Sequence, residues 1–163
     1  MIVAVCVDDK GGMMFNKRRQ SQDRVLRQHL RELADGRIIW MNAYSAGLFQ
    51  KDKETVDEET QPRKQDDEKE TKICVAEDFL VQAGDGEFCF VENQGVLEYK
   101  EKIEAVVLYK WNRVYPSDRF FDLDLGEKEW ELAKSEEFAG SSHEKITMEY
   151  YDRKIRKPMQ ACL

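Results

Sequence analysis

The stretch FCFVENQG joins a buried-strand pattern to polar residues, at a point where an α/β protein can hold a ligand. The apolar run Phe88–Val91 predicts a buried strand, and a helix is expected to begin near Gly95. Ligands of α/β proteins lie just beyond the carboxyl ends of such strands. A phosphate group favours glycines there, because bare backbone N–H groups can then approach the anion. This chain has Glu92, Asn93 and Gln94 instead.

The other residues that could do chemistry form no catalytic or metal-binding pattern. His29 and His143 are too few for a metal site, and the chain has neither a P-loop nor a nucleophile elbow. The cysteines are widely spaced, which fits neither a zinc site nor a disulfide framework, so we expect reduced core thiols. The four cysteines are Cys6, Cys74, Cys89 and Cys162. The sequence therefore predicts no metal site.

Composition narrows the classes of protein that remain. A chain of 163 residues suits one domain with a single core. Lys and Arg number 26 against 33 Asp and Glu, and the net charge of −7 argues against binding to nucleic acid. No stretch reaches the roughly 20 apolar residues of a membrane span. The apolar N-terminus lacks the basic region of a signal peptide, so we expect a cytoplasmic protein.

Strand and helix patterns alternate over the first hundred residues. Ile2–Val7 and Ile38–Met41 are apolar runs typical of strands that are covered on both faces. Between them, Ser21 is a suitable N-cap for a helix whose apolar face includes Leu26 and Leu30. Near the end of the chain, WELAKSEEF and ITMEYYDRK predict an antiparallel pair of strands. This order predicts an α/β sheet with a parallel centre and an antiparallel edge.

The segment Gln50–Lys72 differs from the rest of the chain. Val56 is its only aliphatic residue, so it cannot bury enough apolar surface to offset the entropy of ordering. We interpret it as a solvated, mobile insertion. An electrostatic docking arm is the alternative. The expected organisation is one domain over residues 1–157, with this insertion at 50–72 and a tail at 158–163.

The order of the elements and several local patterns resemble dihydrofolate reductase. IVAVCVDDKGGM is similar to that family's first strand and the start of its active-site loop, and RIIWMNAYSAGLF and FCFVENQGVLEY lie where the family has its second strand and its glycine-pair junction. VVLYKWNRVYPSDRFFDLDL aligns without a gap on a family strand that leads into Gly-Asp-x-x-Phe-Pro, and it keeps Asp118 and Phe121. Trp130 and the final strand pair lie where the family has its closing tryptophan and its last hairpin.

The resemblance covers nearly the whole chain except Gln50–Lys72, and it implies a three-layer α/β fold. The expected dihydrofolate-reductase-like sheet is mixed and contains about eight mostly parallel strands, with helices on both faces and an antiparallel C-terminal hairpin. Its interior strands should include Ile2–Val7, Ile38–Met41, Phe88–Val91 and Ala105–Tyr109.

The resemblance also implies a substrate side. In the family an acidic residue at the start of the first helix helps to protonate the pterin, and Asp23 is the nearest equivalent. A structural role at the helix N-terminus is the alternative for this residue. The family's small Thr is matched by Tyr109, whose bulk would fill the pocket. The implied pocket residues are Ala4, Leu26, Phe49, Val91 and Tyr109.

On the cofactor side the chain departs from the family. The implied cofactor is NADPH, yet Ala43 replaces the Arg that holds the 2′-phosphate, and Glu92-Asn93 replaces the Gly-Gly pair. A carboxylate at that place repels a pyrophosphate, so the departures favour no tightly bound cofactor. The family's loop Pro-Trp is also missing. The cofactor positions implied by the resemblance are Gly12, Ala43, Tyr44, Ser45, Glu92, Asn93, Gln94 and Gly95.

Three functions remain open. The favoured one is a dihydrofolate-reductase-like domain that has lost NADPH-dependent folate reduction and acts as a binding or interaction module. The second is a divergent NAD(P)H-dependent oxidoreductase that transfers hydride to a C=N bond of dihydrofolate or another pterin-like or small heterocyclic substrate. The third is genuine dihydrofolate reduction. We expect an unidentified small-molecule ligand or protein partner, no nucleic acid and no membrane, and a homodimer remains open.

Overall fold

A seven-stranded mixed sheet forms the centre of the computed structural model, which describes residues 1–59 and 71–154. The strands are β1 (Ile2–Val7), β2 (Gly12–Phe15), β3 (Arg18–Arg19), β4 (Ile38–Met41), β5 (Lys72–Val75), β6 (Phe88–Val91), β7 (Ala105–Lys110), β8 (Arg119–Phe120), β9 (Trp130–Phe138) and β10 (Ile146–Arg153). The central sheet has the order β5-β4-β6-β1-β7-β10-β9, and a small second sheet has the order β3-β2-β8.

The strand directions match a parallel sheet with an antiparallel edge. From β5 to β7 all neighbouring strands are parallel, whereas β10 is antiparallel to both β7 and β9. The four strands predicted to be interior do lie inside the sheet. The predicted α/β fold is confirmed, with seven strands in the central sheet where about eight were expected.

Helices cover both faces of the sheet. They are α1 (Arg24–Ala34), α2 (Ala43–Glu59), the short α3 (Phe79–Gln82) and a 3-10 helix (Leu97–Lys102). One apolar cluster joins Leu30 of α1 and Phe49 of α2 to the sheet, and the cluster on the opposite face contains Phe79 of α3. Side chains of a strand point alternately to its two faces, so Ala4 belongs to the first cluster and Val5 to the second. This two-sided burial explains why β1 is apolar throughout.

Asp23, and not Ser21, is the N-cap of α1. Its backbone is extended and its carboxylate accepts a hydrogen bond from the N–H of Leu26. Both residue types are good N-caps, and a sequence pattern alone does not separate two candidates two residues apart. The predicted N-cap is therefore corrected from Ser21 to Asp23, two positions later in the chain.

α2 is longer than the sequence predicts. It continues through Glu59 and so includes the first part of the segment that was interpreted as a mobile insertion. Asp52 in that part is 5% exposed and forms an ion pair with Arg27 of α1, with Nε and Oδ2 2.7 Å apart. The interpretation does not hold at Asp52, because the ion pairs with Arg27 and Arg31 tie this residue to the core. Residues 60–70 lie outside the described residues.

Two further predicted elements are present with small shifts in their bounds. The helix predicted near Gly95 is a 3-10 helix that begins two residues later, and the strand predicted over Ala105–Tyr109 extends to Lys110. None of the helices in the described part of the chain is long and apolar enough to span a membrane.

Candidate functional site

Glu92 lies at the carboxyl end of β6, and its carboxylate is bound by side chains of the chain itself. Arg19 of β3 donates two hydrogen bonds to it, of 2.9 Å from Nε to Oε2 and 3.0 Å from Nη2 to Oε1. The hydroxyl of Ser45 in α2 donates a third, of 2.7 Å. Only 9% of the Glu92 side chain is exposed. A paired, bidentate carboxylate therefore fills the point where the resemblance implies the cofactor.

Arg19 also fastens the β2–β3 hairpin to the first turn of α2. Its guanidinium carbon lies 4.2 Å from the centre of the Tyr44 ring, and Nη2 donates a hydrogen bond to the Tyr44 carbonyl. The backbone N–H of Arg19 donates to the Tyr44 hydroxyl at 3.1 Å. Burial disfavours the charged form of Arg19, but the hydrogen bond and charge of Glu92 outweigh this and raise its pKa. Arg19 thus connects the β2–β3 hairpin both to Glu92 at the end of β6 and to Tyr44 in α2.

The N-terminus of α2 is satisfied by side chains. The side-chain oxygen Oδ1 of Asn42 accepts a hydrogen bond from the N–H of Ser45 at 3.2 Å. The side-chain Nδ2 of Asn42 donates to Oδ1 of Asn93 at 3.0 Å. The N–H of Ala43 donates to a carboxylate oxygen of Glu77. These groups would be the natural donors for an anion at this helix end. The side chain of Ala43 carries no positive charge that could bind a phosphate.

At the end of the junction, the carboxylate of Asp122 accepts hydrogen bonds from the N–H groups of Val96 and Leu97, at 2.9 and 3.3 Å. It presses against Gly95 so closely that a Cβ there would collide with it. Gln94 is half-buried beside them. A second acidic side chain thus occupies backbone donors at this edge.

Gly12 lies apart from Glu92, where β2 begins. Its N–H donates to Asp8 at 2.8 Å, and the Ser117 side chain fills the space that a Cβ would need. Asp8 accepts further bonds from the N–H groups of Lys10 and Tyr115. Burial opposes ionisation of Asp8, but these bonds outweigh it and lower its pKa. A side chain at position 12 would collide with Ser117, so local packing alone explains the glycine there.

Four of the five predicted pocket residues pack together. Ala4, Leu26, Phe49 and Tyr109 belong to one apolar cluster and are 3% exposed or less. Val91 lies in the cluster on the opposite face of the sheet, because it follows Phe90 on a strand. The structure does not bring Val91 together with the other four.

Tyr109 fills the space between the sheet and α1. Its side chain is fully buried, and its hydroxyl shares a 2.8 Å hydrogen bond with Nδ1 of His29. Burial raises the pKa of Tyr109 well above its usual value. The His29 ring stacks on Phe138 at 4.5 Å, and its Nε2 lies 3.3 Å from Glu136. The sequence reveals no link between His29 and Tyr109, since the two residues are 80 positions apart.

The carboxylate of Asp23 is held by four hydrogen bonds. Besides Leu26, its donors are the N–H of Ser141 at 3.0 Å and both the N–H and the hydroxyl of Ser142 at 2.7 Å. Burial raises its pKa, but these bonds dominate and lower it from 3.8 to about 2. A proton donor near neutral pH requires a raised pKa, so this environment suits the structural role of Asp23 better than the catalytic one.

The loop that holds Asp23 continues into a second polar network. His143 shares 2.7 Å hydrogen bonds with the hydroxyls of Ser142 and Tyr115, and its ring stacks on Trp111 at 4.6 Å. Burial lowers the pKa of His143, although the charge of Asp23 opposes this. The network joins the β9–β10 loop to the N-terminus of α1.

The three cysteines among the described residues are free, with Cys89 buried and Cys6 and Cys74 partly exposed. Cys6 pairs in register with Tyr109, and Cys89 with Val3, so the two cysteines are not side by side. Burial raises the pKa of Cys6, and that of Cys89 to about 12. Cys162 lies outside the described residues. No group of acidic, His and Cys side chains within residues 1–59 and 71–154 is arranged to hold a metal ion.

Comparison with known proteins identifies the fold. No protein-family model matches the chain, and no curated protein sequence does. The structure is similar to that of dihydrofolate reductase from Enterococcus faecalis complexed with NADP(H) and RAB-propyl. The TM-score is 0.58 at 13% sequence identity, and the match covers 95% of this chain and 97% of that chain. The chain therefore has a dihydrofolate-reductase-like fold.

Proposed function

We propose that this chain is a dihydrofolate-reductase-like domain that has lost NADPH-dependent folate reduction and acts as a binding or interaction module. The observation that carries the proposal is the carboxylate of Glu92, bound by Arg19 and Ser45 at the carboxyl edge of the sheet. Arg19 and Ser45 are side chains at the junction that could otherwise bind an anionic ligand. A dinucleotide would have to displace a bidentate ion pair that is largely shielded from water, and would then face the charge of Glu92 itself.

Two features of the substrate side support the same proposal. The buried ring of Tyr109 packs where the resemblance implies a substrate pocket. Four hydrogen bonds hold the carboxylate of Asp23, the candidate proton donor, and lower its pKa below the ordinary value instead of raising it toward neutral pH. Reductase chemistry needs both a cavity for the pterin and a protonated acid next to it.

The second candidate is a divergent NAD(P)H-dependent oxidoreductase acting on dihydrofolate or another pterin-like heterocycle. It is favoured by the similarity to a dihydrofolate reductase that was solved with NADP(H). If Glu92 moved away, Arg19 and Ser45 would become available to a phosphate.

Calorimetric titration of the protein with NADPH and with NADH separates the two candidates. The proposal predicts no measurable heat of binding and no change in the thermal midpoint at millimolar dinucleotide. A ligand at 100 times its dissociation constant adds about 2.7 kcal/mol to the free energy of unfolding, so tight binding would be obvious. Micromolar binding of either dinucleotide would overturn the proposal in favour of the oxidoreductase.

A further inference from the structure

The small sheet carries an exposed surface of aromatic and basic side chains, which we name the hairpin patch. It consists of Phe15, Lys17, Arg18 and Phe120. The two phenylalanines are 47% and 48% exposed, and the two basic residues are also exposed. Two exposed aromatic rings on one small sheet are apolar surface that a partner could cover.

Strand pairing brings these side chains together. Phe15 on β2 lies opposite Arg18 on β3, and Arg119 on β8 lies opposite Met14. Met14 is buried, so alternation along β2 turns Phe15 outward. Alternation along β8 turns Phe120 to the side opposite Arg119, which is the side of Phe15. Phe15, Arg18 and Phe120 therefore lie on one face of the small sheet, with Lys17 beside them at the hairpin tip, whereas Arg119 lies on the other face with Met14.

The backbone beneath the patch is held in one conformation. Asn16 and Lys17 form the hairpin tip with φ values of 54° and 63°. The N–H of Asn16 donates to both carboxylate oxygens of Asp118, at 3.2 and 3.1 Å, and the N–H of Asp118 donates to the carbonyl of Met14. Arg19 anchors the other end of the hairpin to Glu92. A surface that is ordered before binding loses less entropy when a partner docks.

The charge of the patch opposes that of the whole chain. Residues 10–19 contain four basic residues and no acidic one, although the net charge of the chain is −7. Within residues 1–59 and 71–154, no salt bridge involves Lys17 or Arg18. Aromatic residues and Arg are the residue types enriched where proteins bind other proteins. The patch thus offers unpaired cations next to apolar anchors.

We propose that the hairpin patch docks an acidic protein segment that also carries apolar side chains. This inference rests on the proposed function, because it names the surface and the kind of partner that an interaction module would use. Acidic groups of the partner would pair with Lys17 and Arg18, and its apolar groups would cover Phe15 and Phe120. A nucleic acid fits less well, because its continuous negative charge would also meet the 33 acidic residues of this chain.

The test uses a short fluorescein-labelled peptide in which Asp and Glu alternate with Leu, measured by fluorescence anisotropy at low salt. The unmodified protein should bind this peptide, and should not bind a peptide with Lys in place of the acidic residues. The double variant Lys17→Glu/Arg18→Glu should weaken binding by about tenfold or more, because like charges then face each other. Phe15→Ala, which keeps the charge, should weaken it several-fold.

The matched control is Arg24→Glu/Lys128→Glu, which makes the same change in net charge at exposed positions outside the patch. Equal affinities for both double variants would overturn the proposal, as would absence of peptide binding at millimolar concentration. Tighter, patch-dependent binding to a single-stranded oligonucleotide or to phosphatidylglycerol vesicles would assign the patch to another partner and also overturn it. NADPH titration is independent of this result. Micromolar NADPH binding would refute the proposed function, whereas the peptide measurement would still decide whether the hairpin patch binds an acidic segment.

Discussion

The guanidinium of Arg19 and the carboxylate of Glu92 form a bidentate pair across 73 positions of sequence. The pair closes the β2–β3 hairpin over the carboxyl end of β6, the edge at which α/β proteins place their ligands. The pair thus stabilises the hairpin. Because Glu92 already binds Arg19 and Ser45, neither side chain is available to bind the phosphates of a dinucleotide. This double role connects the fold to the proposed loss of reductase activity.

The first prediction concerns this junction. We expect the unmodified protein to bind NADPH with a dissociation constant above about 1 mM, which corresponds to roughly −4 kcal/mol. The triple variant Ala43→Arg/Glu92→Gly/Asn93→Gly should bind measurably, because it removes the competing carboxylate, releases Arg19 and adds a second cation. Isothermal titration calorimetry checks both statements.

The double variant Ala43→Arg/Asn93→Gly is the control, since it adds the cation but keeps Glu92 on Arg19. It should bind no better than the unmodified protein. If the double and triple variants bound NADPH equally well, Glu92 would not be the group that keeps the anion out.

The second prediction is the acid dependence of stability caused by Asp23. Its pKa is about 2 in the folded protein and 3.8 without the fold. A carboxyl whose pKa is lowered by folding contributes stability above its unfolded pKa and loses it as the pH falls toward the folded pKa. We therefore expect about 2 kcal/mol of unfolding free energy to disappear between about pH 4 and pH 2. Urea titrations across this range measure the loss.

Asp23→Asn should be less stable than the unmodified protein at pH 7, by about 1–3 kcal/mol, because one amide cannot accept from all four donors. It should also lack this part of the acid dependence. Asp35→Asn is the matched control, since Asp35 is an exposed carboxyl at the other end of α1. An Asp23→Asn variant that lost as much stability on acidification as the control would contradict the assignment.

The third prediction concerns the buried pair of Arg27 and Asp52, whose side chains are each 6% exposed. Asp52→Ala leaves the guanidinium of Arg27 without its main partner in the core, and should cost about 3–5 kcal/mol of unfolding free energy. Gln50→Ala, an exposed position on the same helix, should be nearly neutral. The midpoint of urea unfolding gives both values. A cost below about 1 kcal/mol for Asp52→Ala, on the order of a surface pair, would show that this part of α2 is not tied to the core after all.

The central strands could be predicted from the sequence because their signal is local. β1, β6 and β7 are continuous apolar runs, and only burial on both faces produces such runs. The closing β9–β10 hairpin follows from its length and its polar turn. Ser21 and Asp23 were both suitable N-caps for α1. Asp23 is the cap, and its carboxylate also accepts hydrogen bonds from the loop at Ser142. A long-range contact of this kind cannot be predicted from the spacing of residues along the chain.

The contacts that define the candidate site could not be predicted in the same way. Arg19–Glu92 and His29–Tyr109 join elements far apart in sequence, and each residue alone has an ordinary local explanation. Asp52 lies in a stretch whose composition indicates disorder, and it is buried against Arg27 and Arg31 of another helix. Composition averages over a segment, so one buried charge does not alter it.

The last prediction tests the link between Tyr109 and His29. Tyr109→Phe removes the hydroxyl that shares a hydrogen bond with Nδ1 of His29, and leaves the ring packed in the cluster. Loss of one partly buried hydrogen bond should cost about 1 kcal/mol. Tyr109→Thr, which introduces the small residue that the resemblance implies, should cost about 3 kcal/mol or more, because it leaves a cavity among Leu26, Phe49 and their neighbours.

Tyr150→Phe is the matched control for this hydrogen bond. Tyr150 packs partly against the same cluster, and no hydrogen bond from its hydroxyl to the described residues is present, so its loss should be nearly neutral. Urea unfolding should show the largest cost for Tyr109→Thr, a smaller one for Tyr109→Phe and the smallest for Tyr150→Phe. If the two phenylalanine variants were equally stable, the hydrogen bond to His29 would contribute nothing. If Tyr109→Thr lost no stability, Tyr109 would not fill the space on the substrate side, and one of the two supports for the lost reductase activity would fall.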